Sequence, residues 1–89
     1  MYLHLGQDDV VPLNTVIGIF DLDITSQSKI TRDFLRDSEK AGVVINVSDE
    51  LPKSFVVCSE RKKSKVFISQ LSSVTLQKRS HSKLVEWDK

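Results

Sequence analysis

The chain holds one cysteine, two prolines, three glycines and two histidines in 89 residues, and each scarcity removes a class of protein. A single thiol, Cys58, cannot build an intramolecular disulfide framework, and with His4 and His81 it gives no zinc-ligand spacing. Gly6, Gly18 and Gly42 are far apart, so there is no glycine-rich phosphate loop. They fit a turn, a bulge or close backbone approach, and a helix stop. No apolar run nears the roughly 20 residues that cross a bilayer, and Met1-Tyr2-Leu3-His4-Leu5-Gly6 lacks the charged start and long apolar stretch of a signal peptide. A cytoplasmic protein without membrane contact is expected.

Paired catalytic groups are lacking as well. Asp8, Asp9, Asp21 and Asp23 sit beside turns or strand ends with no His or Cys near them in sequence, and Asp21-Leu22-Asp23 matches no calcium loop. Roles at strand ends or as caps are expected of these acids. No enzymatic activity, cofactor, metal or small-molecule substrate follows from the sequence.

What is present is an ordinary folded composition, 39% apolar and 28% charged. A chain this short forms one domain with a modest core, which favours self-association. The net charge of +1 hides an asymmetry. Residues 1–42 carry four Lys/Arg against seven Asp/Glu, and residues 43–89 carry nine against five. Within residues 53–83, Lys53, Arg61, Lys62, Lys63, Lys65, Lys78, Arg79 and Lys83 face a single acid, Glu60. A polyanion would bind there.

Hydrophobic patterning predicts an α+β fold, one mostly antiparallel sheet with one central helix and a short C-terminal helix, in the order β-β-β-α-β-β-β-α. Tyr2 to Leu5 alternates, stops at the Gly6–Asp9 cluster, and resumes at Val10–Leu13 as a hairpin or meander. Val16–Phe20 reads as a buried strand. Ser28–Ala41 turns helical, with Ile30, Phe34, Leu35 and Ala41 on one side, Ser26 or Ser28 as cap and Gly42 as stop. Val43–Val47 is a strand candidate, and Pro52 bends the chain before Phe55. Phe55–Ser59 and Lys65–Ser69 form the clearest hairpin, joined by the polar turn Glu60–Ser64. Cys58 falls among its apolar residues as an inert, buried thiol. A serine cap at Ser72 or Ser73 then opens a helix through Arg79, followed by a frayed tail. The boundaries are one domain over 1–80 and a tail over 81–89.

Tyr2-Leu3-His4-Leu5-Gly6, Val16-Ile17-Gly18-Ile19-Phe20-Asp21-Leu22-Asp23, Pro52-Lys53-Ser54-Phe55-Val56-Val57 and Ser72-Ser73-Val74-Thr75-Leu76-Gln77-Lys78-Arg79 occur in order and span residues 2 to about 80. Together they resemble the RemA/RemB family of bacterial extracellular matrix regulators. The resemblance implies a cytoplasmic DNA-binding protein of LytTR-like fold, acting on biofilm-matrix genes as a ring-like homo-oligomer. A ring multiplies a weak contact per subunit into a strong one. RemA-type members carry an arginine in the turn matching Leu13-Asn14-Thr15 and an arginine-rich stretch matching Glu50–Ser54. Here only Lys53 is basic in those places, while Thr75 and Arg79 keep the late Thr-x-x-x-Arg pattern. The DNA contact is accordingly expected at Lys53, Arg61, Lys62, Lys63 and Lys65, with Lys78 and Arg79. The rival reading is an assembly protein of the same fold that regulates through protein contacts without touching DNA.

Overall fold

Two short alternating segments open the structure, a computed structural model that describes residues 1–6, 8–25 and 27–87, without the side chains of residues 25 and 81–87. Strand β1 (Tyr2–His4) pairs antiparallel with β2 (Val10–Pro12), Leu3 opposite Val11. The Leu5 N–H closes the hairpin onto the Asp9 carbonyl at 2.9 Å. Alternation sends Leu3, Leu5 and Val11 inward, all buried, and leaves Tyr2, His4 and Val10 at the surface. A single 3₁₀ turn over Leu13–Thr15 leads into β3 (Val16–Asp21).

The chain then makes a short helix α1 (Leu22–Thr25), helix α2 (Lys29–Lys40), and strands β4 (Val44–Asn46), β5 (Ser54–Glu60) and β6 (Lys63–Ser69), ending in helix α3 (Ser73–Trp87). β3, β5 and β6 are antiparallel neighbours, and β4 lies parallel to β6 at the far edge, giving the order β3-β5-β6-β4. The architecture is mixed α+β and mostly antiparallel. It departs from the expected single sheet because β1 and β2 pair only with each other, as a two-stranded ribbon. The helix read as ending at Arg79 runs on to Trp87, through the segment expected to be a tail. α1 was not anticipated: four residues carry too little periodicity to register.

The four-stranded sheet has one well-covered face. Val56 and Cys58 of β5 and Phe67 of β6 meet Leu3, Leu5, Val11 and Leu76 in one cluster, with Ile19, Ile45 and Leu71 packed at its border. Two buried serines bind this face to its cover. Ser54 Oγ donates to the Leu71 carbonyl at 2.7 Å, and Ser69 Oγ donates to the Leu5 carbonyl at 2.6 Å while accepting the Leu71 N–H at 3.0 Å. Nothing in the sequence distinguishes these serines from solvated ones, because their partners are 17 and 64 residues away.

The opposite face is covered less completely by α2. Ser28 occupies the N-cap position with extended backbone, yet its hydroxyl makes no capping bond; Ser26, the other candidate, lies outside the described residues. The C-terminal stop is as expected. Gly42 adopts φ 75°, its N–H reaches the Glu39 carbonyl, and the Val43 N–H reaches the Ser38 carbonyl. This double bond pattern is a Schellman motif, and its left-handed residue favours glycine. At the start of α3 the expected serine cap is Ser72, whose Oγ accepts the Thr75 N–H at 3.1 Å. Asp21 is a cap too: its Oδ1 accepts the N–H groups of Asp23 and Ile24.

β3 corrects a prediction. The β-branched run predicts a buried strand, but β3 is an edge strand with Ile17 66% and Phe20 37% exposed. Gly18 does mark the expected irregularity, since the register with β5 shifts between Val16 and Gly18. The close approach comes from a side chain and not from backbone: a Cβ on Gly18 would stand 2.6 Å from Cζ of Phe20. Phe20 lies back along its own strand and stacks on Phe55, ring centroids 5.0 Å apart. Ile30 and Phe34, which the helical spacing puts on one side of α2, are 82% and 40% exposed. With Ile17, Phe20, Phe55 and Val57 they border an apolar groove of about 320 Å³.

Candidate nucleic-acid interface

Seven consecutive cross-strand pairs join β5 to β6, from Ser54 opposite Ser69 to Glu60 opposite Lys63. The pairing leaves only Arg61 and Lys62 to make the connection. Both have positive φ, 52° and 66°, as in a type I′ turn, whose twist matches that of the strands it joins. The expected five-residue turn Glu60–Ser64 is thus corrected to two residues. Asn-Gly is the usual occupant of such a turn. Left-handed backbone costs an ordinary L-residue about 1 kcal/mol or more, so Arg61 and Lys62 hold their places against local preference.

This correction re-aims the basic residues. Lys63 and Lys65 are strand residues, and with Phe67 they follow a period of two on one face. Lys65 stands opposite Cys58, and Lys63 opposite Glu60. Arg61, Lys63 and Lys65 thereby line a groove of about 380 Å³ between the tip, β2 and the Leu13–Thr15 turn. Its floor is Val11, Cys58 and Phe67, all buried. Thr15 forms part of the wall, and its Oγ1 donates to the Pro12 carbonyl at 2.7 Å. Burial pushes the Cys58 thiol above its ordinary value of 9.0, opposed by a hydrogen bond with the Thr15 side chain. A thiol so placed is poorly nucleophilic, in line with the inert role expected for it. The sequence reading does not show the groove, because a turn over Glu60–Ser64 takes in Lys63 and leaves only Lys65 at the start of the strand. The run Lys63-x-Lys65-x-Phe67, already alternating, was the signal for it.

The structure divides the expected site residues into three places. Arg61, Lys62, Lys63 and Lys65 gather at the tip, all exposed. Lys53 precedes β5 at the other end of the hairpin, roughly 25 Å from the tip at about 3.3 Å per residue. Its backbone is fixed there: its N–H donates to the Ser69 carbonyl and its carbonyl accepts the Leu22 N–H. Lys78 and Arg79 are exposed on α3, and Arg79 Nη1 donates to the His4 carbonyl at 3.3 Å, a contact that ties the helix to β1. The side chain of Lys83 lies outside the described residues.

Among the described residues, none of the four tip cations makes an ion pair, whereas Arg36 pairs with Asp33 on α2 at 2.9 Å. Nor do the described residues contain a group of three or more His, Cys, Asp or Glu side chains that could hold a metal. No described helix is long and apolar enough to cross a membrane.

Comparison with known proteins agrees with the resemblance in the sequence. Residues 2–79 match the RemA-like family, described as extracellular matrix regulatory protein A-like. The chain is 41% identical over 80 residues to extracellular matrix regulatory protein B of Bacillus subtilis, covering 90% of each protein. The matched span runs from the first strand of the β1–β2 ribbon to Arg79, the helix residue that reaches back to it. The chain belongs to the RemA-like family of extracellular matrix regulatory proteins.

Proposed function

We propose that this protein is a cytoplasmic, non-catalytic DNA-binding transcriptional regulator of matrix genes that works as a ring-like homo-oligomer. The observation that carries the reading is the β5–β6 tip, where Arg61, Lys62, Lys63 and Lys65 stand exposed with one acid, Glu60, beside them and with no ion pair among the described residues, two of them in left-handed backbone. Strained backbone that local preference opposes is most often kept where function needs the side chains. Phosphate contacts by such residues release counterions and bind without regard to sequence. Membership of a family described as regulatory supports the same reading.

Assembly draws support from the other side of the molecule. The apolar groove bordered by Ile17, Phe20, Ile30 and Phe34 lies along the free edge of β3. Exposed apolar surface beside an unpaired strand edge is the type of surface on which another subunit docks. A contact that joins unlike patches closes into a ring when the rotation permits. The same groove favours the second reading, an assembly protein that does not touch DNA. Light scattering together with fluorescence polarisation on a long duplex separates the two. The proposal expects an oligomer that binds the duplex. An oligomer without duplex binding at low salt selects the assembly reading, and a monomer at micromolar concentration contradicts both.

A further inference from the structure

We propose that the groove under the hairpin tip is a binding site for a small organic phosphate with a flat apolar body. The inference goes beyond the duplex-binding reading and does not depend on it. A volume of about 380 Å³ is within the range of pockets that hold small ligands. The groove is built in two zones. Its floor is apolar, made by the buried side chains of Val11, Phe67 and Cys58. The hydroxyl beside that floor is engaged, since Thr15 Oγ1 donates to the Pro12 carbonyl. A ligand meets the side-chain carbon of Val11 and Phe67 and the sulfur of Cys58 there.

The rim is charged. Arg61, Lys63 and Lys65 meet a single acid, Glu60, around the opening. The cross-strand register places Glu60 opposite Lys63, which leaves an excess of two positive charges. A phosphomonoester near neutral pH carries close to two negative charges and matches that excess. Duplex phosphates lie on a convex backbone and reach only the rim, so an apolar, concave floor adds nothing to duplex binding. It suits a ring that stacks on Phe67 while its phosphate stays among the cations. Such a molecule is held as a ligand, since the Thr15 hydroxyl on the wall is bonded to the Pro12 carbonyl and the Cys58 thiol on the floor is buried.

The test is an amide-resolved NMR titration of the full chain with phenyl phosphate, inorganic phosphate and benzyl alcohol in parallel. Phenyl phosphate should move the Val11, Cys58 and Phe67 amides saturably, with millimolar or tighter affinity, and should slow alkylation of Cys58 at alkaline pH. Lys65→Ala and Lys63→Ala should each weaken it about three- to tenfold, the loss of one charge-assisted contact at a partly solvated site. Lys78→Ala should leave it unchanged. Inorganic phosphate should disturb residues 61–65 only. If phenyl phosphate does no more than inorganic phosphate, or shifts no floor amide, the site does not exist. A chain that binds duplex but fails this titration keeps the DNA reading and loses the pocket; the opposite pair of results keeps the pocket and removes the DNA reading.

Discussion

The two ends of the β5–β6 hairpin are built on opposite terms. At the Ser54–Ser69 end the side chains are buried, each serine hydroxyl has a backbone partner, and the strands are tied to β1 and to the entrance of α3. At the Arg61–Lys62 end the backbone is left-handed, the cations make no ion pair among the described residues, and the residues are exposed. One ladder of seven pairs connects them. The closed end supplies stability and holds the ladder straight, while the tip uses that rigidity to present cations in a conformation they would not choose alone.

The contrast can be broken most severely at the closed end. Ser69→Ala leaves the Leu5 carbonyl and the Leu71 N–H without partners in a buried setting. Each orphaned group costs about 1–3 kcal/mol, so denaturant unfolding should show a loss of about 2–4 kcal/mol. A loss below 0.5 kcal/mol would mean that the closed end is not where stability resides.

At the tip the sign reverses. Replacing Arg61→Asn together with Lys62→Gly installs the residues that a type I′ turn prefers, and should raise stability by about 1–2 kcal/mol while weakening duplex binding. A stabilised variant that binds as the parent does would detach the strained turn from function.

Between the two ends lies Cys58, whose thiol is pushed up by burial. Its folded pKa exceeds the unfolded one, so above the ordinary thiol value the unfolded chain loses a proton that the folded chain keeps. Stability should therefore fall as pH rises through 9.0 and beyond. Cys58→Ala, compared with the parent across pH 7–10, should flatten this fall; an unchanged slope would assign it to other groups. The smallest effect on folding is expected from Lys62→Ala with Lys63→Ala. Stability should change by no more than about 0.5 kcal/mol, while the salt dependence of duplex binding should flatten by about two phosphate contacts.

Much of the frame was legible in the sequence because it rests on local signals. The Gly42 stop, the Ser72 cap and the apolar runs of β5 and β6 each declare themselves within a few residues. What was not legible depends on partners distant in the chain. Val16–Phe20 has the composition of a central strand, and only the order β3-β5-β6-β4 makes it an edge. Ile30 and Phe34 follow a helical period that predicts an apolar face without saying how far a sheet covers it. The basic cluster was visible as composition, but its division followed from register. Two residues of turn instead of five put Lys63 on the strand that already holds Lys65, and the length of the hairpin carries Lys53 away from both.

Duplex binding by the tip is tested most directly by fluorescence polarisation of a long DNA duplex over a series of salt concentrations, parent against the Lys62→Ala, Lys63→Ala pair and against Lys53→Ala. Four phosphate contacts at the tip predict a log–log salt slope of about −3 to −4 for each subunit engaged, reduced by about two in the tip pair and nearly unchanged in Lys53→Ala. Binding that survives in the tip pair with its slope intact, but is abolished by Lys53→Ala, would contradict the account and place the DNA surface at the Pro52 bend.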